Sequence, residues 1–211
     1  MGAGHTYMWS NSNKLKEEIM KRKLAMILIL ALACILTGCA KTSQNSLKTE
    51  MYILPNSYLV FNGMEPDEAA KSCMELGEEF CTDVKVVSEG IQLELTEEQL
   101  NNLIMKNNRF IDELAEKFTS SNSMYRYETD ETYQKLTLYF DENISGMLQI
   151  KTIMGIASSY AMNYMLLNNT KEWQVEIEIY NCHTNKLVAS VKIPGEEMTY
   201  GAKEWEESYK E

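Results

Sequence analysis

The chain has 211 residues with 20 basic and 31 acidic side chains, a formal charge of −11. That length suits one domain with a real core, and that sign of charge argues against nucleic acid and against binding anionic lipid through a basic patch. No phosphate-cradling glycine loop, dinucleotide fingerprint, lipase-type serine elbow or paired-histidine metalloprotease motif occurs, so the corresponding enzyme classes have nothing to stand on.

In chain order, the first organised feature is Lys21-Arg22-Lys23 followed by an uninterrupted apolar run from Leu24 to Leu36. A cationic start, a short apolar stretch and a small residue before a cysteine make a secretory signal, too short for a spanning helix. Its last residues, Leu36-Thr37-Gly38-Cys39, resemble the lipobox of bacterial lipoproteins. The resemblance covers about residues 20 to 40 and implies a diacylglyceryl thioether on Cys39, cleavage before it, and a palmitate-class lipid anchor. The expected address is the extracytoplasmic face of the cell membrane. Two acyl chains at about 0.8 kcal/mol per buried methylene anchor lastingly, where one would be marginal. Met20 sits where such a signal would start, so residues 1–19 read as a mis-assigned start or non-native leader and 20–38 as the signal peptide. Removing residues 1–38 leaves 173 residues with 15 basic and 29 acidic side chains, a charge near −14. Residues 39–50, polar and without periodicity, read as a flexible tether, and 51–211 as a single globular domain.

The globular part opens with two short apolar runs, Tyr52-Ile53-Leu54 and Tyr58-Leu59-Val60-Phe61, and Pro66 then sits where a helix starts, predicting a helix over 67–80. From Asp83 onward one unit recurs three times: two alternating strands, an acidic turn, then an amphipathic helix. In the first, Val84 and Val86 lead to Ile91, Leu93 and Leu95, after which Thr96 and Gln99 form a capping box for a helix whose stripe runs from Leu100 to Phe118. In the second, Tyr125 and Tyr127 precede Leu136, Leu138 and Phe140, and a helix over 145–167 has too broad an apolar surface to be anything but deeply buried. In the third, Trp173 to Ile179 and Leu187 to Ile193 form a hairpin with Asn185 in the left-handed turn position, followed by a final acidic helix. The fold class expected is α+β, with a single antiparallel sheet built from successive β-hairpin–helix units and helices packed on one face.

Candidate chemistry is sparse. Of the thiols other than Cys39 in the mature part, Cys73 and Cys81 are the plausible disulfide partners. Eight residues of continuous helix would hold them about 12 Å apart, so a chain reversal near Gly77 is required; the alternative is that both are small buried hydrophobes. Cys182 and His183 neighbour each other in a turn, but zinc wants three or four ligands and a catalytic thiol wants a positioned base and third group, and the local sequence supplies neither. Asp141, Asn143, Ser145 and Gly146 match the first half of an EF-hand loop, yet Thr152 stands where the closing bidentate Glu belongs, so a capped strand-to-helix turn is the simpler reading. No cofactor and no metal is expected. Acidic clusters at Asp67 to Asp83 and Glu196 to Glu207 fit helix first turns and solvated faces. With Tyr125 and Tyr127 on one face of the second strand pair and Tyr133 and Tyr139 on an outward or edge register, some of these tyrosines could present an aromatic strip to a glycan or protein partner.

The function expected from sequence is therefore a lipid-anchored extracytoplasmic binding or scaffolding domain, non-enzymatic, for a protein or other envelope component and not for nucleic acid. The alternative is a cell-wall-active hydrolase using two carboxylates, which needs them in one cleft at about 5 Å or 8 Å.

Overall fold

The computed structural model describes residues 48–210. Cys39, the signal at 20–38 and the leader at 1–19 lie outside the described residues, as does most of the tether. The fold begins with β1 (Thr49–Pro55), slightly ahead of the boundary expected at 51, and continues through α1 (Asn56–Phe61), α2 (Pro66–Glu75), β2 (Asp83–Val87), β3 (Gly90–Thr96) and α3 (Glu97–Ser121). After these come β4 (Arg126–Thr129), β5 (Lys135–Phe140), α4 (Gly146–Asn168), β6 (Val175–Asn181), β7 (Leu187–Ile193) and α5 (Ala202–Ser208). No helix among the described residues is long and apolar enough to cross a membrane.

The architecture is α+β, but the expectation of one antiparallel sheet is wrong on two counts. The strands divide into a three-stranded sheet of order β1-β3-β2 and a four-stranded sheet of order β4-β5-β6-β7. Within the second, β5 and β6 run parallel, with Phe140 paired to Asn181 and Lys135 to Glu176. The cause is α4. A helix of 23 residues extends about 34 Å, enough to carry the chain from the end of β5 back to the start of β6, which then adds in the same direction as a crossover strand. The break between sheets has its own cause: β1 pairs along β3 from Thr49↔Thr96 to Pro55↔Gly90, so β3 is central in its own sheet. Gly90 is required at that corner, because its φ is +146° and a Cβ there would lie 2.1 Å from the Leu54 carbonyl oxygen.

The helices α3 and α4 lie side by side and tie the two sheets together, α3 meeting β3 and β4 while α4 meets β1 and β6. The capping box at the start of α3 forms as expected: the Gln99 N–H donates to Thr96 Oγ1 at 3.2 Å, and the Thr96 N–H donates to Gln99 Oε1 at 2.8 Å. Gly155 lets the helices approach closely, since a Cβ there would meet Leu114 Cδ1 at 2.5 Å. One core runs through the domain, with Leu136, Leu138, Phe140, Ile156, Val175 and Ile177 wholly buried. Each such side chain contributes about 1.5 to 3 kcal/mol.

Buried polar groups along α4 are paired across the helix seams. Ser158 Oγ donates to Asn62 Oδ1 at 2.6 Å and shares a hydrogen bond with Tyr58 Oη at 3.1 Å. Asn163 accepts from Asn107 Nδ2 at 3.0 Å and donates to Asn108 Oδ1 at 2.9 Å. Among the described residues the Thr152 hydroxyl is the buried side-chain group left without a hydrogen-bond partner.

Candidate functional site

Four-stranded sheets have two faces, and here one is core while the other meets water. Along β6 the burial alternates strictly, with Val175, Ile177 and Ile179 inward and Glu176, Glu178 and Tyr180 outward. On β5, Lys135, Thr137 and Tyr139 share the outward face, and on β4 so do Arg126 and Glu128. This register assembles a stack. The Arg126 guanidinium sits 3.5 Å over the Tyr139 ring, and Tyr139 stacks on Tyr180 with centroids 5.2 Å apart. Arg126 also donates to Asn185 Oδ1 at 2.6 Å, where Asn185 takes the left-handed conformation expected of it, φ +57°. Beside the stack, Lys135 pairs with Glu178 at 2.9 Å, and Tyr180 Oη donates to Glu178 at 3.1 Å. A shallow depression of about 310 Å³ runs along this face between Glu128 and Tyr180.

The four tyrosines named from sequence do not form one strip. Tyr125 is core, stacked on Phe118 at 5.4 Å. Tyr127 shares its side of the sheet with buried Leu138. Tyr133 turns at φ +59°, packs edge-on against Tyr160 and donates to Asn108 at 3.3 Å. Tyr139 alone reaches the outer face. Its companions there, Arg126, Tyr180, Glu178 and Lys135, went unnamed, although the alternation of Glu176, Glu178 and Tyr180 against Val175, Ile177 and Ile179 marks them as outward. What the sequence withheld was the parallel register that sets Tyr180 beside Tyr139.

A second group gathers at the carboxyl ends of β5 and β6. Because Phe140 pairs with Asn181, the residues that follow each, Asp141 and Cys182, come side by side, and the Cys182 N–H donates to the Phe140 carbonyl at 2.9 Å. His183 Nε2 lies 3.1 Å from Asp141 Oδ2, with the Asp141 side chain only 6% exposed and that of His183 39% exposed. The remaining Asp141 oxygen accepts from Tyr125 Oη at 2.7 Å and from the Asn143 N–H at 2.9 Å. Burial works to raise the Asp141 carboxyl, but the bonds from Tyr125, His183 and Asn143 outweigh it and hold the group below the usual carboxylate range. Tyr125 goes up, first through burial and then through Asp141. Burial also pushes the Cys182 thiol up, and Asp141 adds to the push. A thiol kept protonated is a poor nucleophile.

The turn that carries this group is built by Asn181. Its buried side chain accepts from the His183 N–H at 2.9 Å and donates to Ser208 at 2.8 Å, so β6, the turn and α5 are pinned together. On the other side, Ser145 accepts from the Leu148 N–H at 3.2 Å and caps α4, so the EF-hand-like spacing serves a strand-to-helix turn.

Cys73 and Cys81 are free thiols. The chain does reverse at Gly77, φ +92°, and both cysteines line one cavity of about 60 Å³ between α2 and the three-stranded sheet. Burial raises the Cys73 thiol to about 12, and Cys81 goes up for the same reason. Among the described residues, Glu50, Asp83, Asp130, Asp141 and Glu204 shift downward, the direction opposite to that of a general acid.

Compared with known proteins, the chain matches no family model, no curated protein and no solved structure.

Proposed function

We propose that this chain is a lipid-anchored extracytoplasmic binding domain, tethered through Cys39 and engaging an envelope protein through the outer face of its four-stranded sheet. The observation that carries this reading is the Arg126–Tyr139–Tyr180 stack beside the Lys135–Glu178 pair. Arginine and tyrosine are the residue types that carry interface energy, because they offer large rigid surface with a polar tip. A protein partner suits this face better than a glycan. Tyr139 is flanked by Arg126 from one neighbouring strand and by Tyr180 from the other, so its ring is already engaged within the protein and is less open to stacking on a sugar. The face mixes Arg126 and Lys135 with Glu128 and Glu178, a pattern that selects a partner of complementary charges. The net charge near −14 argues against nucleic acid. A wall hydrolase is the weaker reading, since the carboxyls that shift go down.

Two experiments test the two halves. Radiolabelled palmitate is expected to enter the chain in cells and to be lost in Cys39→Ser, with the protein leaving the membrane fraction; label that persists in Cys39→Ser contradicts the anchor. A photo-crosslinking residue placed at Tyr180 of the anchored chain is expected to give a discrete protein adduct that Lys71, exposed on α2, does not give and that Arg126→Ala diminishes. Equal adducts from both positions, none from Tyr180, or a glycan in place of a protein would overturn the surface reading.

A further inference from the structure

We propose that Asp141, Cys182 and His183 form a binding site for a borderline divalent transition ion of the zinc class. The three side chains supply a carboxylate oxygen, a sulfur and an imidazole nitrogen whose donor atoms all lie within 4.8 Å of one another. Those are the donor types zinc takes, and three protein ligands with the fourth position left to water is the arrangement of an open site. The separation of Asp141 Oδ2 from His183 Nε2, 3.1 Å, is close to the edge of a zinc-centred tetrahedron, about 3.3 Å for oxygen and nitrogen ligands. Sulfur and nitrogen ligands would span about 3.6 Å, so a modest closure of the exposed His183 turn completes the set.

Each ligand residue is held in place by the surrounding structure. Asp141 is fixed through its other oxygen by Tyr125 and by the Asn143 N–H. His183 is held through its backbone by Asn181 and lies over Tyr209, ring centroids 6.0 Å apart. Cys182 is anchored by its N–H to Phe140. Outer contacts of this kind orient ligands and sustain metal affinity. Binding exchanges the His183–Asp141 hydrogen bond for two bonds to the ion: the ring proton sits on Nδ1 in the bound tautomer so that Nε2 is free to ligate, and the Cys182 sulfhydryl proton leaves to solvent as its sulfur bonds the metal. The half-exposed imidazole edge is the way in.

The test is a titration of the reduced full chain with Co²⁺, which reports thiolate ligation by sulfur-to-metal charge-transfer absorption, followed by displacement with Zn²⁺. One ion per chain is expected, with charge-transfer absorption that vanishes in Cys182→Ser. His183→Ala, at an exposed turn position, is expected to weaken binding at least about tenfold. Absorption that survives Cys182→Ser places the metal on other thiols such as Cys73 or Cys81 and overturns the proposal. So does affinity unchanged in His183→Ala, or the absence of stoichiometric binding.

Discussion

The domain holds its described cysteines in two kinds of surroundings. Cys73 and Cys81 face a small cavity walled by Leu54, Leu59, Phe80 and Leu93, where burial is the largest influence on both and the Cys81 thiol donates to the Asp83 and Glu94 carbonyls. Cys182 is just as hidden, yet Asp141 and His183 stand beside it. The same residue type is therefore core filler at one sheet and a potential ligand at the other. What separates them is topology: the three-stranded sheet is covered by the apolar faces of amphipathic helices, whereas the parallel step from β5 to β6 collects polar residues at two adjacent strand ends. Such strand ends are where open α/β sheets place their sites.

The strongest way to break that contrast is to remove its aromatic floor. Phe140 is fully buried, with Phe118, Tyr125 and Trp205 at centroid distances of 6.1, 6.5 and 5.5 Å. Phe140→Ala is expected to cost about 4 kcal/mol in denaturant unfolding, with loss of the Cys182–His183 turn.

A sharper comparison pairs one substitution beside Cys182 with one at Cys73. Asp141→Asn removes a buried charge that accepts three hydrogen bonds and is expected to cost about 2 kcal/mol. Cys73→Val adds about one methyl beside the apolar cavity of about 60 Å³ and is expected to stay within about 1 kcal/mol of the parent. If both cost the same, the two surroundings are not different in kind.

Much of the fold is legible in the sequence, because alternation and capping are local. β3, β7 and α3 fall where Ile91 to Leu95, Leu187 to Ile193 and the Thr96–Gln99 box place them, and Asn185 takes its left-handed turn. Direction is not local. Nothing in Val175 to Asn181 says whether that strand runs with or against Lys135 to Phe140, and a period of two is the same both ways. The Asp141 cluster was invisible for this reason: its members stand 41 residues apart in sequence and meet only in a parallel register. Of the four tyrosines only Tyr139 joins the outer stack, since Tyr125 and Tyr133 lie outside β4 and β5 and the surface partner Tyr180 arrives from a later strand.

Smaller effects refine the picture. Thr152→Val replaces a buried hydroxyl without a partner by a methyl and is expected to raise stability by about 1 kcal/mol. Asp130 organises the β4–β5 turn, accepting from the Gln134 and Lys135 N–H groups at 3.0 and 2.9 Å and from Thr132. Burial opposes its ionisation, but these bonds prevail and its carboxyl lies below the ordinary 3.8. A carboxyl lowered in the folded state stabilises the fold above its unfolded value and loses that contribution as pH falls through the folded one. The stability gap between the parent and Asp130→Asn is thus expected to be constant near neutrality and to shrink only below about pH 3.8.

Everything distinctive here, the outer stack and the Asp141 group alike, depends on β5 and β6 running parallel. Nuclear Overhauser spectra of the isotopically labelled full chain test that directly. The expected result is a ladder of contacts between Leu138 and Ile179, Tyr139 and Tyr180, and Phe140 and Asn181, with the Cys182 amide protected from exchange by its bond to Phe140. Close cross-strand Hα–Hα contacts between these strands, the mark of antiparallel pairing, would contradict it and dissolve both sites at once.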